Sequence, residues 1–290
     1  MPDFQKQTVQ WFPGHMAKTR RKIKESLPLV DAVVEIVDAR IPESSRNPEL
    51  DDITSGKPRI ILLNKSDVAD QNATRAWMDH FQSRGAFVLS VDCKTGKGLN
   101  GFVPLVRKAL AERIEQNNAK GMSGRPLRLM VVGIPNTGKS SFINRMSSKS
   151  KLQVANRPGV TRSNQWVVCG DGIELLDTPG VLWPKFDDPA VGDKLAFIGS
   201  IKNDVMDVET IAVRLLAILK TDYTDRLCER YKVDASVADM EPYEVLEAIG
   251  RKRGMLLRGN EVDTERAANT LLTEYRSGKL GKITLERPKG

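Results

Sequence analysis

An α/β fold on a mostly parallel sheet, followed by a small all-helical region, is the fold class this 290-residue sequence predicts. Two observations predict it. Up to Leu176, short runs rich in Val, Ile and Leu alternate with segments of helical period, the βαβ rhythm of a parallel sheet with helices on both faces. After Pro189 the strand signals stop and only helical periods continue. The composition, 40% hydrophobic and 28% charged, is that of a globular chain and excludes a disordered or fibrous one.

Taken in order, buried strands are expected at Ala32–Val37, Arg59–Leu63, Ala86–Ser90 and Leu127–Val132, with helices over Lys18–Leu27, Gln71–Arg84 and Leu99–Glu115 between them. Two further strands, Gln165–Cys169 and Ile173–Leu176, flank Gly170-Asp171-Gly172, a turn composition that makes a hairpin. The polar segment Asn117–Pro126 reads as a surface linker joining two halves of one sheet. Helices then follow over Ala190–Ser200, Val208–Thr221, Tyr223–Tyr231, Pro242–Arg253 and Thr264–Ser277. A boundary near Trp183–Asp188 divides a domain of residues 1–185, with halves 1–117 and 126–185, from a helical domain of residues 186–290.

Gly133-Ile134-Pro135-Asn136-Thr137-Gly138-Lys139-Ser140 fits the phosphate-binding pattern G-x-x-x-x-G-K-[ST], and it stands after a strand and before the helical run that opens at Ser141. The glycines let backbone N–H groups from Asn136 to Ser141 turn inward around a phosphate at the positive end of a helix. Lys139 neutralises the outer phosphates, and the Ser140 hydroxyl is a Mg²⁺ ligand. Downstream, Asp177-Thr178-Pro179-Gly180 ends a strand: the Asp177 carboxylate suits the waters of that ion, and the Gly180 amide the γ-phosphate. The polar loop Arg157–Arg162 between them offers Thr161 as the second Mg²⁺ ligand, made when the γ-phosphate is present.

Asn64-Lys65-Ser66-Asp67 follows the strand Ile60–Leu63. The Asp67 carboxylate can accept two hydrogen bonds, from N1–H and the 2-amino group of guanine; adenine offers no such pair, so GTP and GDP are the expected nucleotides. Asn64 and Lys65 brace the loop and cover the ring. This base motif precedes the phosphate motifs, the reverse of the usual GTPase order, as a circular permutation produces. The segment after Gly180 then runs straight into the helical domain, where nucleotide state can move it.

These motifs in this order resemble the circularly permuted ribosome-assembly GTPases, specifically the bacterial ribosome biogenesis GTPase A family. Trp11-Phe12-Pro13-Gly14-His15-Met16-Ala17-Lys18 and Asp38-Ala39-Arg40-Ile41-Pro42 look like further signatures of that family, and the match spans nearly the whole chain. The resemblance implies a GTPase stimulated by the large ribosomal subunit and acting late in its maturation. One departure concerns the last base motif, usually S-A-K: here Val91-Asp92-Cys93-Lys94 takes the place, with Asp92 and Cys93 as the nucleotide-binding candidates and the backbone N–H near Cys93 able to reach guanine O6. Where Ras-like enzymes carry a water-orienting glutamine, this sequence has Val181 and Leu182. The resemblance gives that role to His15; by residue type alone His15 reads as a cap or packing residue in its turn. It also implies that Asn136 helps hold K⁺ beside the phosphates, against the plain alternative of a turn-forming asparagine.

The net charge of +8 favours polyanionic partners. Basic clusters stand at Lys18–Lys24, at Arg251-Lys252-Arg253 with Arg258, and in the tail; each is a solvated face or a set of phosphate-backbone contacts to rRNA. The three cysteines form no CxxC pair, which argues against a disulfide framework or zinc site and fits a reducing cytoplasm. Met1–Gln10 has no secretion-signal character, and no apolar stretch approaches the roughly 20 residues of a membrane span, so no membrane partner is expected. Nothing suggests an oligomer, and a monomer is the expectation. Two rival readings remain: a GTP sensor with little hydrolysis, which Val181 favours, and a GTPase of a membrane or division process, which the missing lipidation motif disfavours.

Overall fold

The computed structural model describes residues 13–147, 165–178, 180, 188–201 and 207–288. They fall into two compact units, one drawn from Trp11–Pro184 together with the tail from Glu286, the other from Lys185–Leu285.

The first unit is a six-stranded sheet: β1 (Ala32–Asp38), β2 (Arg59–Asn64), β3 (Phe87–Ser90), β4 (Leu127–Val132), β5 (Gln165–Cys169) and β6 (Ile173–Asp177), in the order β3-β2-β1-β4-β6-β5. All neighbours are parallel except β5, which pairs antiparallel with β6 through a turn in which Asp171 and Gly172 both take positive φ (63° and 73°). The helices of this unit are α1 (Pro13–Ser26), α2 (Glu49–Ile53), α3 (Gln71–Ser83), α4 (Phe102–Ala109), α5 (Ala111–Ala119) and α6 (Lys139–Ser147).

β1 is buried at every position because it lies inside the sheet with cover on both faces. Val34, Ile36, Leu62, Leu129 and Val131 point to one face, where Phe102 of α4 meets Phe142 of α6 edge to face. Val37, Leu63, Trp77 and Phe81 fill part of the other. Each such side chain contributes about 1.5–3 kcal/mol on burial. The helix expected over 99–115 bends at Leu110 (φ −115°, ψ 20°), where the side chain turns into the core. The bend does not interrupt the hydrogen-bond ladder, since Leu110 N–H donates to Val106 O and Ile114 N–H to Leu110 O.

The parallel registers decide where a ligand can bind. Asp38 stands beside Asn64, and Val131 beside Asp177, so these strands release their loops at one common edge. A parallel sheet binds its ligands in the crevice outside those carboxyl ends.

The chain's end also belongs to this unit. The Glu286 carboxylate accepts N–H bonds from Glu43 (2.8 Å) and Ser44 (3.2 Å) and the Ser44 hydroxyl, while the Trp77 indole N–H donates to the Glu286 carbonyl (3.2 Å).

The second unit is helical: α7 (Pro189–Phe197), α8 (Val208–Asp222), α9 (Thr224–Tyr231), α10 (Pro242–Lys252) and α11 (Thr264–Arg276). Leu215, Leu216 and Leu219 of α8 are fully buried and pack with α10 and α11. Helix starts are fixed by side chains: Asp207 accepts from Thr210 N–H (2.8 Å), Asp263 from Arg266 N–H (3.0 Å), and Glu241 with Glu244 forms a capping box. Among the described residues no helix is long and apolar enough to cross a membrane.

Candidate nucleotide-binding site

The loop from Gly133 to Gly138 leaves β4 and enters α6 at Lys139. Two of its glycines are required by contact. Gly133 has φ 145°, and a Cβ there would stand 2.6 Å from the Ile36 carbonyl; Gly138 has φ 105°, and a Cβ would run into the Asn64 amide nitrogen. Asn136 sits between them with φ 63°, a left-handed conformation that asparagine tolerates. Thr137 is fully buried and its hydroxyl donates to Ile134 O (3.0 Å), so only its backbone is left for a ligand.

Lys139 is buried, and its Nζ donates to Ile134 O at 2.8 Å, folding the side chain back over its own loop. Burial pushes its ammonium down to about 8, with the negative Asp177 acting in the opposite direction. Gly180 lies against the same group: a Cβ on it would be 2.8 Å from Lys139 Nζ and 3.1 Å from Pro135 N. The Asp177–Gly180 segment therefore meets the phosphate loop. Ser140 and Ser141 are exposed on the first turn of α6.

The base motif closes on the same loop. Asn64 is buried; its Nδ2–H donates to Thr137 O (2.6 Å) and its Oδ1 accepts from Cys93 N–H (2.9 Å). That amide, offered to guanine O6 by the sequence, is thus engaged on Asn64. Asp92 is buried, accepting from Lys94 N–H (2.8 Å) and the Thr95 hydroxyl, and so shapes its own turn. Lys65 has φ 61°, and its Nζ donates to Asn136 O (2.7 Å) and Asp38 Oδ2 (2.8 Å). Asp67 is exposed and makes no hydrogen bond or ion pair among the described residues, leaving its carboxylate available.

Asp38 is the residue that sequence reasoning left without a role. It is fully buried; Arg40 donates to it from N, Nε and Nη2 at 3.1, 2.9 and 2.8 Å. Burial pushes its pKa up, but the Arg40 and Lys65 charges prevail and hold it well below the usual carboxylate range. The D-A-R string was its only signal.

His15 falls on α1, but its side chain is outside the described residues, as are Thr161, Val181 and Leu182. In the helical unit Arg251, Lys252, Arg253 and Arg258 are all exposed, and Arg253 also pairs with Glu274 (3.0 Å) and lies over the Tyr231 ring. Among the described residues no three His, Cys, Asp or Glu side chains cluster as a metal cage.

Comparison with known proteins identifies the family. Residues 128–246 match the family model of the 50S ribosome-binding GTPases. The ribosome biogenesis GTPase A of Priestia megaterium is 46% identical over 282 residues, covering 97% of both chains. That of Thermotoga maritima is 34% identical over 97% of this chain and 95% of its own. Two solved YlqF structures share the fold: a GDP-bound one (TM-score 0.65, 30% identity, 93% of this chain and all of that one) and the GNP-bound T. maritima protein (TM-score 0.64, 30% identity, 94% and 99%). With its phosphate loop and base motif joined at one sheet edge and its near-full-length similarity to these proteins, the chain belongs to the ribosome biogenesis GTPase A family and is a GTPase.

Proposed function

We propose that this GTPase is a switch in late assembly of the large ribosomal subunit and that the subunit stimulates its turnover. One observation carries the nucleotide reading: Asn64 of the base motif donates to Thr137 of the phosphate loop at 2.6 Å, joining the two halves of a GTP site. The ribosomal reading is supported by relatives named for ribosome biogenesis. The motif order supports a circularly permuted domain of residues 1–185, its base-binding half 1–117 and phosphate-binding half 126–185, with residues 186–290 as a helical, ribosome-facing domain.

In this mechanism the backbone amides of Asn136–Ser141 receive the β-phosphate at the start of α6. Lys139 exchanges the Ile134 carbonyl for β- and γ-phosphate oxygens, and phosphate charge restores the proton that burial weakens. Asp67 accepts N1–H and the 2-amino group of guanine, while Asn64 and Lys65 brace the loop from beneath. Cys93 acts by holding Asn64 in place through its N–H, and Asp92 by shaping the turn that carries Cys93. The Gly180 amide meets the γ-phosphate.

The residues fit a magnesium ion. Ser140 is exposed at the loop's end, Asp177 is close enough to Lys139 for its charge to be felt, and no carboxylate cage occurs among the described residues. That set suits an ion held by a hydroxyl, phosphates and waters, with Thr161 joining in the GTP state and Asp177 acting through water. When bound, Mg²⁺ supplies charge neutralisation at the transferring phosphoryl group. Asn136 is the candidate K⁺ ligand. His15 orients the attacking water, the position after Gly180 being apolar. Arg251, Lys252 and Arg258, with Arg253, contact rRNA phosphates. The protein works as a cytoplasmic monomer without a membrane partner.

The test is steady-state GTP hydrolysis in potassium buffer with and without purified large subunits. Strong stimulation by large and not small subunits is the expected result; no stimulation while guanine nucleotides still bind refutes the ribosomal reading. Equal rates in sodium count against the potassium assignment, and undiminished stimulated turnover of His15→Ala against His15.

A further inference from the structure

Two hydrogen bonds tie the base motif to the phosphate loop. One is Asn64 on Thr137; the other is Lys65, whose ammonium reaches Asn136 O. A lysine is a poor brace by itself. Its stem is flexible, holding it still costs rotamer entropy, and its head prefers water. Here the Lys65 side chain keeps 26% exposure and starts from a left-handed backbone.

What fixes it is Asp38. The two residues stand at adjacent strand ends, since Asp38 is in register with Asn64, the residue before Lys65. Asp38 has no exposure, so its carboxylate cannot trade the lysine for water. Its orientation is set by three bonds from Arg40, itself 1% exposed, and its backbone N–H donates to Ser45 Oγ (2.9 Å). Oδ2 then has one direction left, and Lys65 Nζ occupies it at 2.8 Å. The neighbouring residue, Ser44, is gripped by Glu286 from the chain's end, so the loop carrying Ser45 is itself held.

We propose that Asp38, oriented by Arg40, is a positioning residue for guanine-nucleotide binding: it holds the Lys65 ammonium against the Asn136 carbonyl and thereby sets the base loop and the phosphate loop at the spacing one nucleotide requires. This rests on the nucleotide-site reading above. Asp38 touches no nucleotide and acts only through Lys65. Without the anchor the Lys65 head turns to water, the Asn136 carbonyl loses the ammonium, and the two loops are less tightly tied. The consequence is faster nucleotide release, since interactions that lock a bound state act mainly on the off-rate.

The test uses the full-length protein and a fluorescent GDP. Asp38→Asn alone leaves the Arg40 charge buried without its carboxylate and can unfold the chain, so the informative variant is Asp38→Asn with Arg40→Gln, which neutralises both partners together. Expected is about tenfold faster GDP release and about tenfold weaker affinity, the scale of one charge-assisted hydrogen bond. A general loss of structure would give the same loss in any background. Action through Lys65 predicts that in Lys65→Ala protein the same double change adds nothing. An unchanged release rate overturns the proposal, and so does an undiminished further loss on top of Lys65→Ala. If the unmutated protein binds GDP no better than ADP, the nucleotide-site reading itself fails, which is a different result.

Discussion

β1 carries two buried carboxylates with opposite fates, one at its middle and one at its carboxyl end. Asp38, at the carboxyl end, faces the nucleotide loops; Glu35, three residues earlier, faces Arg46, Arg59 and Asp51. Both are essentially without exposure. Asp38 is saturated by short bonds from Arg40 and Lys65, and its pKa is driven down. Among the described residues Glu35 takes hydrogen bonds from Arg46 alone, at 3.3 Å through Oε2, with Arg59 farther off at 3.9 Å; its Oε1 has no hydrogen-bond partner there, and burial pushes its pKa up against the pull of Arg46 and Arg59. The difference teaches that burial alone does not decide charge: the geometry of the donors does, and the saturated carboxylate is the one beside the site.

The largest effect that would break this comparison is on folding. Asp38→Asn, by stripping the buried Arg40 guanidinium of its carboxylate, is expected to cost about 3–5 kcal/mol in urea unfolding, the usual penalty for orphaning a buried charge. A cost below about 1 kcal/mol would show that the pair is not the anchor described. Next comes Gly138→Ala, which forces a side chain at φ 105° into the Asn64 amide. It should cost about 1–3 kcal/mol for backbone strain and weaken GDP measurably; wild-type affinity would mean the two loops do not need to touch.

Glu35→Gln sharpens the contrast from the other side. Arg46 keeps Asp51 at 2.5 Å, so stability at pH 7.5 should be unchanged or higher by up to about 1 kcal/mol. The sign with pH is distinctive. Because the folded pKa of Glu35 is raised, its favourable contribution is complete below the ordinary value of 4.5 and is lost as pH rises through the raised one. The advantage of Glu35→Gln therefore fades on acidification. Asp38 behaves oppositely: its contribution stands above the ordinary 3.8 and is lost only on falling further. Unfolding midpoints of both variants across acidic pH would separate the two. The smallest effect concerns Lys139, which binds phosphates as the cation. With its value near 8 in the free protein, GDP affinity should drop about threefold between pH 7.5 and 8.5, following the protonated fraction; a flat profile would mean that the lysine is charged throughout.

Much of this was legible in the sequence, where the controlling interactions are local. The phosphate loop announces itself because its glycines, lysine and serine must be contiguous, and the strand–loop–helix context follows from apolar runs. The hairpin was readable from Gly170-Asp171-Gly172, whose last two residues adopt the positive φ such residues permit. What was hidden depends on partners far apart in the chain. Nothing in the D-A-R string says that its carboxylate will meet Lys65, a pairing created by strand register. Arg253, one of a basic run by sequence, turns to Glu274 once α10 and α11 pack. The bend at Leu110 leaves no mark because no proline or glycine produces it.

Glu286 carries a consequence for how the molecule comes into being. The loop holding Ser44 and Ser45 is synthesised early, yet the carboxylate that satisfies Ser44 stands 242 positions later. During translation every strand of the sheet emerges before that residue does. The sheet unit therefore reaches its final bracing only after Glu286 itself has emerged from the ribosome, so a chain cut before that residue would carry a complete set of nucleotide motifs on an unfinished frame.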